Sequence, residues 1–157
     1  MAIYEGSQGI TALKAKIAMK SKKLVGESLE KIAVMLVDES PLGAEYYASK
    51  QGAIQNDVGD FKNSWTVGLG TPDLSTRAAD AAGTAAVADA IVKGKRYNLE
   101  ETNYVTNNKD HAEMVEDGWA DNPEYGWKAK QGYHVVGNNI GAAKAICEIV
   151  AQKISKI

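Results

Sequence analysis

Residues 64–70 have the sequence Ser-Trp-Thr-Val-Gly-Leu-Gly, and this short stretch decides the fold class. Trp65, Val67 and Leu69 alternate with polar or small residues, a period of two that predicts a strand with one apolar face. A turn containing Pro72 ends the strand. Because helical patterns stand on both sides of this strand, we expect an α+β fold in which helices pack on a small antiparallel sheet.

Upstream of the strand, the sequence predicts a long amphipathic helix from Ile10 to Asp38, with Pro41 ending the helical region. Its apolar residues recur every three, four, seven or eight positions and should form the face that packs on the sheet. These residues are Ile10, Leu13, Ile17, Leu24, Ile32 and Met35. The lysines lie mostly on the other face: Lys14, Lys16, Lys20, Lys22, Lys23 and Lys31. Gly26 inside the helix predicts a bend or a break.

The first nine residues, MAIYEGSQG, have two glycines and no periodicity. They predict an extended arm, residues 1–9, in front of a single domain of residues 10–157. Ile3 and Tyr4 near its tip could be held by a neighbouring subunit.

Downstream of the strand, an alanine-rich helix is predicted from Leu74 to Val92 because alanine has the highest helix propensity. Asp73 or Ser75 would cap its start and Gly94 its end. One or two strands should follow within residues 96–107.

The last third of the chain predicts a short helix capped by Asp110 and closed by Gly118, and then an aromatic loop from Trp119 to Gln131. A C-terminal helix lies within residues 133–157. Its periodic apolar positions are Val136, Ile140, Ala143, Ile146, Cys147, Val150 and Ile154.

Composition excludes several classes of protein. A chain of 157 residues suits one domain, and a net charge of −2 argues against a protein that mainly grips phosphate backbones. The longest apolar run, Ile32 to Val37, has six residues and is too short to span a membrane. With Cys147 as the single cysteine, neither an internal disulfide nor a cysteine-cluster metal site can form. We expect no cofactor.

The densest group of chemically competent side chains surrounds His111. Glu113, Glu116 and Asp117 would lie on one side of the short helix. A divalent cation site is conceivable there, which leaves a small metal-dependent hydrolase as an alternative function. No ligand pattern is recognisable, however, so we expect these carboxylates to be structural or to face a lumen, and we expect no catalytic residue and no metal.

Aromatic usage is unusual, with seven tyrosines and three tryptophans against one phenylalanine. Tyrosine and tryptophan are enriched at protein interfaces because they combine apolar area with a polar group. Together with the arm, they give the expected interface residues: Ile3, Tyr4, Tyr46, Tyr47, Trp119, Tyr125 and Trp127.

Three ordered motifs carry a family resemblance. Asp57 to Trp65 (DVGDFKNSW) is a turn that enters the strand, Asn108 to Gly118 (NKDHAEMVEDG) contains the short helix, and Lys130 to Val136 (KQGYHVV) leads into the last helix. With the long first helix and Pro41, this order resembles the tail-completion or head–tail joining proteins in the neck of tailed bacteriophages. The resemblance runs from about Ile10 to Ile154, although Val58 stands where the family usually has threonine.

The resemblance implies a structural protein of the virion rather than an enzyme. It implies a ring of identical subunits, hexameric with a dodecamer as the alternative, that surrounds the DNA channel. The implied partners are head-completion or connector proteins on one side and a tail terminator or tail tube protein on the other. DNA would pass without sequence-specific contacts, no membrane would be involved, and the host cytoplasm would be the place of assembly. A host-side binding module is a further alternative.

Overall fold

The computed structural model describes residues 2–42, 58–97, 100–121 and 130–156, with the backbone alone for residues 2–9, Trp119 and Lys130. These residues form five helices and two small antiparallel sheets, which confirms the α+β class and the long N-terminal helix. The elements are α1 (Ala2–Asp38), α2 (Asp60–Asn63), β1 (Trp65–Leu69), α3 (Thr84–Arg96), β2 (Asn103–Asn107), α4 (Ala112–Asp117), β3 (Gly118–Trp119), β4 (Lys130–Gln131) and α5 (Val135–Ser155).

Helix α1 is the scaffold, and α3 and α5 both run antiparallel to it. For α3, Gly83 before its first turn lies against Val37, whereas Gly94 near its end lies against Gly26. The α5 helix packs its first residue, Val135, near Leu36 and Val37, and Lys153 near its end lies 3.3 Å from Glu27. Both neighbours therefore cover only the second half of α1.

The predictions for the start of α1 are corrected. Residues 2–9 are helical, not an extended arm, so the helix begins at Ala2 rather than at Ile10. The predicted core face is wrong in its first half, where Ile10, Leu13 and Ile17 are 57%, 58% and 56% exposed. Buried positions begin near Gly26 and continue through the residues Ser28, Leu29, Ala33, Leu36 and Val37.

Gly26 does not break α1, which is continuous from Ala2 to Asp38. A Cβ atom at Gly26 would lie 2.3 Å from the carbonyl oxygen of Gly94, and one at Gly94 would lie 2.9 Å from the carbonyl oxygen of Gly26. The two glycines therefore let the backbones of α1 and α3 cross closely, and α3 continues past Gly94, the predicted cap, to Arg96.

The predicted strand is confirmed as β1, which pairs with β2 in an antiparallel register that places Val67 opposite Val105. The opposite face of the strand is covered as well, because Thr66 is also buried. Within the described residues of 96–107, where one or two strands are predicted, the structure has one strand, β2, which begins at Asn103. Arg96, the first residue of that range, still belongs to α3.

The start of the alanine-rich helix is ten residues later than predicted: α3 begins at Thr84, not at Leu74, and neither Asp73 nor Ser75 caps it. Residues 72–80 are irregular. Asp80 supplies the carboxylate at the helix start instead, accepting hydrogen bonds from the N–H groups of Ala82 and Thr84, both at 2.9 Å.

Two further boundaries differ from the predictions. The residue before α4 is His111 rather than Asp110, although Gly118 ends this helix as predicted. The ends of the predicted aromatic loop are paired, because β3 and β4 join Trp119 to Lys130 and Gly118 to Gln131.

Candidate functional surfaces

The three motifs that are far apart in sequence meet in one hydrophobic cluster. Phe61 and Trp65 come from the first motif, Val115 from the second and Val135 from the third, and all four are buried together with Leu36, Val37 and Ala86. The rings of Phe61 and Trp65 contact edge to face, with centroids 5.7 Å apart. The motifs are thus joined by packing.

Polar residues of the first motif fasten this cluster to its surroundings. The Trp65 indole N–H donates to the hydroxyl of Ser40 at 2.7 Å, and Ser40 in turn donates to the Leu36 carbonyl at 2.6 Å. The side-chain oxygen of Asn63 accepts hydrogen bonds from the N–H groups of Ala85 and Ala86, at 3.1 and 3.2 Å. Asn63 therefore satisfies two free donors at the start of α3.

Glu116, from the second motif, holds the start of α5. Its carboxylate accepts hydrogen bonds from the N–H groups of Val136 at 3.0 Å and Gly137 at 2.9 Å. A carboxylate here satisfies donors of the first turn and interacts favourably with the helix dipole. Gly132 of the third motif permits this approach, because a Cβ atom there would lie 2.0 Å from the Glu116 carbonyl oxygen.

The other carboxylates of the predicted acidic group remain on the surface. Glu113 and Asp117 are exposed, whereas His111 packs against Phe61 with ring centroids 6.2 Å apart. Across the described part of the chain, no three His, Cys, Asp or Glu residues are placed to share a metal ion. Cys147 is exposed on α5, so its predicted place on the apolar face is wrong.

A network of four charges, which the sequence analysis did not identify, ties the irregular segment before α3 to that helix. The Lys93 ammonium lies 2.7 Å from the Asp73 carboxylate and 3.0 Å from that of Asp89, and Arg77 lies 3.2 Å from Asp89. Hydrogen bonds from Lys93 and Ser75 hold the pKa of Asp73 well below its usual range. Burial opposes the charge of Lys93, but its bonds to Asp73 and Asp89 outweigh that effect and raise its pKa.

The same network closes the outer edge of β1. Asp89 accepts a hydrogen bond from the Val67 N–H at 2.9 Å, and Arg77 donates to the Trp65 carbonyl. Backbone groups that another strand could have paired with are thus occupied by side chains. Only the i, i+4 spacing of Asp89 and Lys93 could have suggested part of this arrangement from sequence.

The first half of α1 presents a second type of surface. Every residue from Ile10 to Met19 is exposed, and four of the large apolar ones are more than half exposed: Ile10, Leu13, Ile17 and Met19. We call the surface formed by Ile10, Leu13 and Ile17 the α1 stripe. Lys14, Lys16 and Lys20 flank it.

The predicted interface residues fall largely outside what the structure describes. Tyr46, Tyr47, Tyr125 and Trp127 lie outside the described residues, and Ile3, Tyr4 and Trp119 are described by their backbone alone. Their interface role therefore stays a prediction.

An open groove of about 390 Å³ lies between α1 and α5, lined by Glu30, Lys31, Val34, Met35, Asp38 and Ile146. Its charged groups, Glu30, Lys31 and Asp38, are all on α1, and α5 contributes only the apolar Ile146. The described helices include none that is long and apolar enough to cross a membrane.

Comparison with known proteins adds no relative: no protein-family model matches the chain, and neither a curated protein nor a solved structure matches it.

Proposed function

We propose that this protein is a structural component of the neck of a tailed bacteriophage, a ring-forming tail-completion or head–tail joining protein. The observation that carries the proposal is the meeting of the three motifs in one cluster, through Phe61, Trp65, Val115 and Val135. Each of the three motifs thereby supplies at least one buried residue to the same core, which gives the motifs a shared structural role. Their convergence supports a common core as the cause of the resemblance.

The roles of individual polar groups support a structural function. Glu116 is engaged by the first turn of α5, His111 packs on Phe61, and Asn63 holds the start of α3. A hydrolase would need convergent polar groups with shifted pKa values in one cleft. The observations on the described residues favour neither the metal-dependent hydrolase nor the host-side binding module.

The charge distribution suits a channel through which DNA passes. The chain carries a net charge of −2, and Glu113 and Asp117 are exposed carboxylates. A cationic lumen would retain phosphate groups, whereas an acidic one would let the duplex slide. In the proposed ring, these two residues face the lumen or the next subunit.

The proposed assembly is a homo-oligomeric ring, hexameric with a dodecamer as the alternative. One face meets head-completion or connector proteins, and the other meets a tail terminator or tail tube protein. The protein is then part of the mature virion, after assembly in the host cytoplasm.

The decisive experiment uses a phage whose genome encodes this chain. Purified virions are analysed by mass spectrometry, and gold-labelled antibodies locate the protein by electron microscopy. We expect several copies per particle and label at the junction of head and tail. When expression of the chain is blocked, DNA-filled heads and separate tails should accumulate. Virions that contain none of the protein, or that form normally without it, would refute the proposal.

A variant sharpens this test. Trp127→Ala should prevent incorporation into virions while leaving the circular dichroism of the isolated chain unchanged, because large aromatic residues on loops are typical interface anchors. The matched control is Tyr104→Ala in β2, outside the predicted interface set. If Trp127→Ala instead unfolds the isolated chain, the tryptophan packs on its own domain.

A further inference from the structure

The α1 stripe has no cover within the described molecule. The described contacts of α3 and α5 with α1 begin near Gly26 and Glu27, and every residue from Ile10 to Met19 is exposed, so residues 2–19 precede the packed part of α1. Those 18 residues, 2–19, span roughly 27 Å at 1.5 Å per residue. Isolated helices of this length are marginal in water, and their stability normally comes from packing an apolar face. The first half of α1 thus has the length of a docking element, and the α1 stripe gives it an apolar face.

The charge of the α1 residues around the stripe limits which surfaces can cover it. Residues 6–26 contain five lysines and no Asp or Glu, giving a charge of +5. Since the whole chain carries −2, the remaining residues carry −7. Pairing this segment with the same segment of another copy would bring like charges together. Packing it on the body of another copy would bring opposite charges together, which orients and accelerates association.

One surface of the body meets both requirements of the α1 stripe. Residues 110–117 contain four carboxylates and no Lys or Arg, and the neighbouring Lys109 is taken up by Asp60 at 2.6 Å. Directly beside them, the first turns of α5 expose Val136 and Ile140, which are 44% and 66% accessible. We call these residues, 110–117 with Val136 and Ile140, the α4–α5 corner.

The two surfaces lie at opposite ends of the molecule. Val115 of α4 and Val135 of α5 pack near Leu36 and Val37, whereas the stripe begins at Ile10 and ends at Ile17, beyond the opposite end of the bundle. A contact between two different surfaces, here at opposite ends of the molecule, is heterologous. Repeated from copy to copy, it produces a closed ring if the rotation between neighbouring copies adds up to a full turn, and an open filament if it does not.

We propose that the α1 stripe of one copy docks on the α4–α5 corner of the next copy, with Lys14, Lys16 and Lys20 facing Asp110, Glu113 and Asp117. This inference deepens the proposed function by naming the surfaces between neighbouring subunits, and it rests on that function for closure into a ring.

The test is charge reversal with rescue, measured by sedimentation velocity at low salt over a range of concentrations. The wild-type chain should self-associate, and added salt should weaken the association. Reversing Lys14, Lys16 and Lys20 to Glu should raise the dissociation constant by about tenfold or more, as should reversing Asp110, Glu113 and Asp117 to Lys. Mixing the two variants, or combining all six changes in one chain, should restore association.

Matched controls separate the surfaces from net charge and hydrophobicity. Reversal of three exposed cations elsewhere, Lys95, Arg96 and Lys156, should leave association intact. Leu13→Asp on the stripe should abolish association, whereas Leu74→Asp, at a leucine of similar exposure, should not.

Each other outcome counts against the inference. A wild-type chain that stays monomeric at every concentration, reversals that have no effect, or impaired variants that fail to rescue each other would all overturn it. A stripe that instead binds anionic vesicles or DNA, with self-association unchanged by the reversals, would also overturn it. None of these results tests whether virions contain the protein, so the proposed function is decided by the virion experiment alone. Conversely, self-association through these two surfaces would not show that the protein belongs to a virion.

Discussion

Asn63 organises three parts of the chain with one side chain. Its amide N–H donates to the Ala78 carbonyl at 2.8 Å, while its oxygen receives the N–H groups of Ala85 and Ala86. It fixes both the irregular segment and the start of α3 from a position two residues before β1. An asparagine can do this because it carries donors and an acceptor on one short stem.

At the level of single residues, Asp73 makes the stability of the fold depend on pH. Lys93 and Ser75 keep the pKa of the folded carboxyl below the unfolded value of about 3.9, so its contribution to stability is present above that pH and is lost as the pH falls further. We expect Asp73→Asn to lower the free energy of unfolding near neutral pH by about 1–2 kcal/mol. Relative to wild type, the loss should shrink as the pH drops below about 4.

Urea unfolding at a series of pH values measures this effect. Asp38→Asn is the matched control, because Asp38 is exposed at the end of α1 and forms no described ion pair. If Asp73→Asn and Asp38→Asn give the same profile, the network around Lys93 does not contribute to stability.

At the scale of elements, the close packing of helices against one another, rather than helix propensity, sets how α1 and α3 are arranged. Gly26 and Gly94 let α1 and α3 approach until each backbone contacts the other. We expect Gly26→Ala to destabilise the protein by about 1–3 kcal/mol, because its Cβ would overlap a fixed carbonyl oxygen. Gly141→Ala should instead stabilise it by about 0.5–1 kcal/mol, since this glycine lies inside α5 with no atom within 4 Å of the added carbon. Thermal unfolding of the two variants against wild type measures both; equal effects would show that the crossing tolerates a methyl group.

The same elements show what a sequence can predict. Alternation in residues 65–69 and the helical periods near both ends gave β1, α5 and the end of α1, because local patterns reflect local geometry. The sequence pattern placed the start of α3 too early. Arg77 and Asp73 form ion pairs with Asp89 and Lys93, which lie farther along the chain, and these contacts outweigh the helix propensity of the nearby alanines. Periodicity also identified Ile10, Leu13 and Ile17 as a stripe, but it could not tell whether their own domain covers them.

Candidate surfaces were less predictable than elements. The resemblance identified the three motifs, but only the structure shows that Glu116 binds the first turn of α5 and that His111 packs on Phe61. Such contacts depend on which elements become neighbours, and this information is not local. The lysines of α1 were visible in the sequence, whereas their projection beyond α3 and α5 was not.

At the scale of the whole molecule, the structure divides into a packed body and a projecting helix. Deleting residues 1–18 should leave the unfolding midpoint of the body unchanged, because the buried part of α1 begins near Gly26. The mean helical signal should fall by the contribution of the 17 helical residues 2–18. Circular dichroism with urea unfolding measures both quantities at a concentration where the chain is monomeric. A lower midpoint would show that the projecting half supports the fold of its own subunit.

The closed edge of β1 has a consequence for the chain when many copies are present together. Unprotected strands recruit strands from other molecules, which is how sheets begin to grow into aggregates. Here Arg77 and Asp89 occupy backbone groups of Trp65 and Val67 that such recruitment would use. Because both side chains also belong to the network with Lys93, they cannot leave the edge without giving up ion pairs. Protection against misassembly on this side is therefore tied to the integrity of the fold, and it persists as long as the body stays folded.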